Sequence, residues 1–337
     1  MPDSASKLKA FMLSIAYPLY IPCVQPSLCK PVRLPLQKLR LSANLPLRNA
    51  RSPQPFRPDR ACWNQPSRAV SANQPNENTQ EKPKVEKPVK IMPCLDMQNG
   101  RVVKGVHFVD IRDAGDPVQC AEAYCKAGAD ELALLDITAT VENRPTMLQV
   151  VQNVSKVTTI PFTVGGGIRD VASASEVIAA GADKVSVSSA AFRNPDVVPE
   201  MVKELGADKV TVAIDVDVND ALPSGYEVYI DGGRTATGSD AIEWAKKVDS
   251  FGVPVILPTS KAGDGAQTGY DLPVIKAMAD ACSAEIVASG GAGRLEHFAE
   301  AVEAGVPVLL AASVFHFQMI DIPQLKEYLR NEGYNVS

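Results

Sequence analysis

The segment TVGGGIRDVASASEVIAAGADKVSVSSA, Thr163–Ala190, decides the fold, because VASGGAGRLEHFAEAVEAGVPVLLAASV, Val287–Val314, repeats its plan 124 residues later. In both, an apolar run ends in a glycine-rich loop, an amphipathic stretch follows, and a second apolar run ends in small residues. Gly166-Gly167, Gly181-Ala182 and Val187-Ser188-Ser189 recur as Gly290-Gly291, Gly305-Val306 and Ala311-Ala312-Ser313. Gly128 and Gly252 keep the same offset, and Asp96 and Asp215, each ending an apolar run, stand 119 apart. A single pair of glycines can match by chance. Several features in register imply a duplicated unit.

Outward from the repeat, short β-branched runs alternate with longer amphipathic stretches. Strands are predicted at 89–95, 131–135, 160–164, 184–187, 209–214, 254–257, 285–288 and 307–311, with helices at positions such as 117–127, 172–180, 240–251 and 295–304. Such alternation with short connections implies parallel strands and right-handed crossovers. Eight strands across residues 89–337 fit an α/β (βα)8 TIM barrel made of two half-barrel repeats. An open doubly wound sheet would carry GxGxxG after its first strand, and Cys94-Leu95-Asp96-Met97 has none.

Upstream the composition changes. Of 34 Lys+Arg and 39 Asp+Glu in the 337 residues, positions 1–70 hold 11 and 2, leaving 23 and 37 for the rest. Residues 1–90 also carry 14 of the 26 prolines, which forbid a long helix or a ladder. Residues 1–72 are therefore expected to be a disordered basic targeting leader, bound for the plastid stroma or, alternatively, the mitochondrion. A plain disordered tail, or initiation at Met12, remains open. Residues 73–88 read as a solvated linker. No run reaches the roughly 18 apolar residues of a membrane span. The seven cysteines form no CxxC pair and only three histidines occur, so no metal site or disulfide framework is expected. No cofactor and no nucleic-acid partner are expected either.

Phosphate binding asks for converging backbone N–H groups, so residues with little side chain suit it. Gly166, Gly167, Ser188 and Ser189 end strands three and four; Gly290, Gly291, Ala312 and Ser313 end strands seven and eight. Read singly, each glycine loop is equally a tight turn. Two related copies point to two phosphate sites on opposite sides of one barrel mouth, and to a ligand with a phosphate at each end. Between them, Asp96 and Asp215 form a candidate general acid/base pair.

Beyond these patterns, MPCLD (92–96), GRVVKGV (100–106), RDAGDP (112–117), GADEL (128–132), DITA (136–139), VGGGIR (164–169), GYDL (269–272) and ASGGAG (288–293) resemble the cyclase subunit of imidazole glycerol phosphate synthase. The likeness runs from Lys90 to the C-terminus. It implies a reaction of ammonia with the phosphoribulosyl formimino aminoimidazole carboxamide ribonucleotide, giving imidazole glycerol phosphate and aminoimidazole carboxamide ribotide. It also implies that Asp96 and Asp215 act as base and acid and that Lys104 lies on a closing loop. Asp136, Thr259 and Asp264 would join Lys104 as loop and substrate residues. Lys90, Glu131 and Lys184 match charged positions of an ammonia gate, and a glutaminase partner is implied. Three positions depart from the family pattern: Ser188 replaces Asn, Ala262 removes a carboxylate, and Val255 replaces a gate Glu. Prolines 254 and 258 lead us to expect local distortion of strand six. A non-catalytic bis-phosphate-binding barrel and the sister phosphoribosyl isomerase are the alternative functions.

Overall fold

The computed structural model describes residues 87–106 and 109–337. The segment expected to be a targeting leader and nearly all of that expected to be a linker lie outside the described residues. Within them, eight parallel strands close into a ring: β1 Lys90–Gln98, β2 Leu132–Asp136, β3 Phe162–Gly165, β4 Lys184–Val187, β5 Val210–Val218, β6 Val255–Ser260, β7 Glu285–Ala288 and β8 Val308–Ala311. Each pairs with the next, and β1 closes the ring on β8 through Lys90↔Val308 to Pro93↔Ala311. This is the expected (βα)8 barrel.

The crossover helices are α1 Pro117–Lys126, α2 Leu148–Ser155, α3 Val171–Ala179, α4 Val197–Leu205, α5 Ala241–Asp249, α6 Leu272–Ala281, α7 Leu295–Glu303 and α8 Ile322–Asn331. Aspartates start several of them. Asp116 accepts from the N–H groups of Val118 and Gln119, Asp240 from Ile242 and Glu243, and Asp170 forms a capping box with Ser173.

Strand alternation builds two cores. Along β1, Ile91, Leu95 and Met97 face the helices, while Met92 and Cys94 pack inside the barrel with Ala133, Leu257, Val287, Val308 and Leu310. The same phase puts Lys90 at the start of the inner row and Asp96 at its end. On β5, Val210, Val212 and Ile214 face outward, and Ala213 packs inward two residues before Asp215. Charge at either mouth and apolar packing between are thus one period-2 pattern.

The duplication is structural as well as sequential. Strands β2 and β4 and helices α1 to α3 recur 124 residues on, within a residue or two at either end, as β6, β8 and α5 to α7. Each half opens with an additional feature that the sequence reading lacked, an antiparallel hairpin after its first strand. Arg101–Val106 pairs with Val109–Gly115, and Tyr226–Ile230 with Thr235–Asp240. Their turns use left-handed residues, Asn99-Gly100 leading into the first and Asp231-Gly232-Gly233 closing the second. The distortion expected at β6 occurs on one side only. Pairing with β5 is unbroken from Val255 to Ser260, whereas pairing with β7 stops at Ile256 and resumes at Thr259↔Ser289.

Candidate functional site

A cavity of about 430 Å³ opens where the C-terminal ends of the strands meet. Its first end is lined by Gly166, Gly167, Ser188 and Ser189, its second by Gly290, Gly291, Ala312 and Ser313. Asp96 and Asp215, on strands diametrically opposed in the ring, line the space between, with Asp136, Thr259 and Asp264. The sequence-derived residues of the two loops and the paired carboxylates therefore share one chamber. Lys104 lies in the first hairpin, in register with Arg112.

Glycine at the loops is required by close approach. A Cβ on Gly166 (φ 90°) would collide with the Asp136 carbonyl oxygen, and one on Gly291 (φ 108°) with that of Gly269. The turn explanation and the anion-binding explanation are thus compatible: small residues admit the neighbouring loop and leave the cavity side open.

The two carboxylates have different surroundings. Burial and the nearby Asp264 carboxylate push Asp215 up to about 6, against the opposing pull of the Gly233 N–H, Lys261 and Arg234. Cys94, two residues before Asp96 on the same inner face, donates its thiol to Asp96 Oδ1 at 3.3 Å. Behind it, His316 Nε2 donates to the Cys94 carbonyl oxygen at 2.9 Å, and Nδ1 shares a hydrogen bond with the Tyr124 hydroxyl at 2.6 Å. Neither Tyr124 nor His316 stands out in the sequence, because they are 192 residues apart.

Asp136 is less available than the resemblance implies. Its buried carboxylate takes two bonds from Arg144, at 2.6 and 2.7 Å, and a third from the Ala139 N–H. Arg144 also reaches Thr138 at 2.8 Å. Asp136 thus braces the loop after β2, whose Thr140 and Thr146 hydrogen-bond to the backbone of Gly167 and Gly166. In the second half, Ser260 and the Tyr226 hydroxyl share Asp271, at 2.9 and 2.8 Å.

At the opposite mouth, Glu131 bridges Lys90 at 2.7 Å and Lys184 at 3.1 Å. The two lysines hold its carboxyl below the usual range despite burial, which acts the other way. Above them is a small cavity of about 20 Å³, enough for one water-sized molecule, lined by Glu131, Lys184, Glu285, Thr163, Thr211, Val255 and further inner-row apolar residues. Glu285 is in register with Val255 and adds its charge to the field on Lys90. A carboxylate absent from β6 is therefore present one strand over, on β7.

A (βα)8 barrel built by duplication, with one carboxylate from each half facing a shared cavity, defines the class. The family described as "Histidine biosynthesis protein" matches residues 90–321. The chain is 48% identical over 250 residues to imidazole glycerol phosphate synthase subunit HisF of Pyrobaculum aerophilum, covering 74% of this chain and 98% of the relative. The chain belongs to the histidine biosynthesis family and is a homologue of that subunit.

Proposed function

We propose that the barrel is the cyclase of imidazole glycerol phosphate synthase, a lyase-type activity in the fifth step of histidine biosynthesis. Ammonia and the bis-phosphorylated formimino ribonucleotide give imidazole glycerol phosphate and aminoimidazole carboxamide ribotide, the ribulosyl carbonyl oxygen leaving as one water. The observation that carries this reading is the pair of small-residue loops at either end of one cavity, with Asp96 and Asp215 between them. The loops hold the two phosphates, and Lys104 closes over the substrate. Asp96, held by the Cys94 thiol, takes a proton from the ammonia adduct. Asp215, raised to about 6, donates one. Substrate filling the cavity expels further water and raises Asp215 more.

Ammonia comes from a glutaminase partner docked on the face opposite the cavity. It enters past Lys90, Glu131 and Lys184 and waits in the small cavity above them. Supplying the purified barrel with the bis-phosphate ribonucleotide and ammonium salt tests the reading. Two products are expected, whereas rearrangement to a single product would make the protein the isomerase. The leader directs this barrel to the plastid stroma. A reporter fused to residues 1–85 would enter plastids, and accumulation in mitochondria would decide for the alternative.

A further inference from the structure

We propose that Arg193 determines specificity at the first end of the cavity, gripping the phosphate there through Nε and Nη1 while Nη2 stays on Asp231. The inference rests on the bis-phosphate reading above and identifies a residue that neither the motifs nor the family likeness marks. Arg193 ends the short helix Ser189–Arg193 and lines the cavity beside Ser188, Ser189, Gly166 and Gly167. Its Nη2 alone makes both bonds to the Asp231 carboxylate, at 2.6 and 2.7 Å. Nε and Nη1 bond to no other described residue, and half of the side chain is exposed.

Asp231 is itself fixed. Its N–H donates to Ser189 Oγ at 2.9 Å, its carboxylate accepts from Thr235 Oγ1 at 2.9 Å, and its backbone is left-handed at φ 59°. An exposed ion pair contributes little stability. A guanidinium held by a carboxylate through one nitrogen, on a residue that lines the cavity and with two further donors bonded to no described residue, is instead the arrangement that recognises a phosphate oxygen.

The duplication supplies the contrast. The residue 124 positions after Arg193 is Phe317, and the one after Arg169, also on the cavity wall, is Gly293. Among the described residues, no basic side chain lines the second end. The first end therefore has a charge-based grip, which compensates for the short hydroxyl of Ser188, and the second end works through backbone.

Two measurements on Arg193→Met, Arg193→Lys and Asp231→Asn test this. The first is KM for the bis-phosphate substrate with ammonium. The second is the occupancy of inorganic phosphate at the two ends in soaked crystals. Arg193→Met should raise KM roughly tenfold to a hundredfold, the range of one charged hydrogen bond, while kcat falls far less. It should also empty the first end and leave the second filled. Arg193→Lys should recover part of the loss, and Asp231→Asn, which frees the guanidinium but keeps its charge, should cost much less than Arg193→Met.

Unchanged KM, loss of phosphate at both ends or neither, or an Asp231→Asn effect as large as that of Arg193→Met would overturn the proposal. The last result would make Arg193 only a latch for the hairpin. If the wild-type protein bound phosphate at both ends but converted no substrate, the cyclase reading would fail, and the soaked crystals would still decide Arg193.

Discussion

At four positions around the two mouths the first half-barrel carries charge where the second has none: Glu131, Lys184, Arg169 and Arg193 correspond to Val255, Val308, Gly293 and Phe317. The loop braces differ as well, a guanidinium from Arg144 on Asp136 in one and a hydroxyl pair on Asp271 in the other. Apart from Asp96 and Asp215 and the helix-capping Asp116 and Asp240, what the halves keep in common is small or apolar: the outward rows of β1 and β5, the loop glycines and the helix-closing Gly181 and Gly305. Packing tolerates little volume change, so it preserves the duplicated frame. Polar groups at the two mouths are free to diverge, and their divergence gives a two-fold frame a direction.

The hardest test of the comparison is the pair of carboxylates, one from each half. Asp96→Asn and Asp215→Asn are each expected to lower kcat with ammonium by about 100-fold or more while keeping most phosphate affinity. Near-wild-type turnover by either variant would make one half a spectator. The next largest effect concerns the braces. Arg144→Met strands the Asp136 carboxylate in the interior and should cost roughly 3 kcal/mol or more in urea denaturation. Ser260→Ala, which removes one of the two hydroxyls bonded to Asp271, should cost about 1 kcal/mol. Equal losses would erase the distinction.

A smaller effect is expected in pH dependence. Asp264→Asn removes a like charge beside Asp215, so the ionisation that governs proton donation should move below about 6 in a profile of kcat taken at fixed free ammonia. An unmoved profile would separate the two groups. The same shift predicts a stability change with a definite sign. Asp215 binds its proton more tightly folded than unfolded, so it costs nothing at pH 3 and progressively destabilises the fold as pH rises from about 4 to about 6. Asp215→Asn should therefore raise Tm relative to wild type at pH 7 and leave it unchanged at pH 3. The smallest change is expected from Val255→Glu, which gives the second half the gate charge of the first. With Glu285 already beside Lys90, ammonia used per glutamine hydrolysed by the complex should shift by less than about twofold. A large gain would show that Glu285 does not substitute for the β6 carboxylate.

The barrel was legible in the sequence because each strand and helix announces itself within a few residues, and the duplication repeats the announcement. Asp96 and Asp215 were legible for the same reason: each ends an inward row begun several residues earlier. The hairpins were not, since their strands hang on left-handed turns at Asn99 and Asp231, residue types that also mark ordinary loops. Arg144 finds Asp136 eight residues away across an irregular loop, a separation with no period to read. Arg193, in the last turn of a five-residue helix, looks like a solvated charge until Asp231 arrives from the turn of the second hairpin. Glu285 likewise gains meaning only when β7 is seen beside Val255.

The seam between β1 and β8 governs the order in which the chain can finish folding. The first strand of the body has no outer partner until Val308 has been synthesised, and Val89 finds its own partner, Val336, only at the very end. A growing chain therefore carries an unpaired β edge through most of its translation, the arrangement most prone to wrong pairings. The last residues act as a clasp: the Ser337 N–H and hydroxyl both donate to the Val89 carbonyl oxygen, while Lys326 and Arg330 donate to the Ser337 carbonyl oxygen. Deleting residues 334–337 should thus slow acquisition of protease resistance in a refolding time course more than it lowers the final yield.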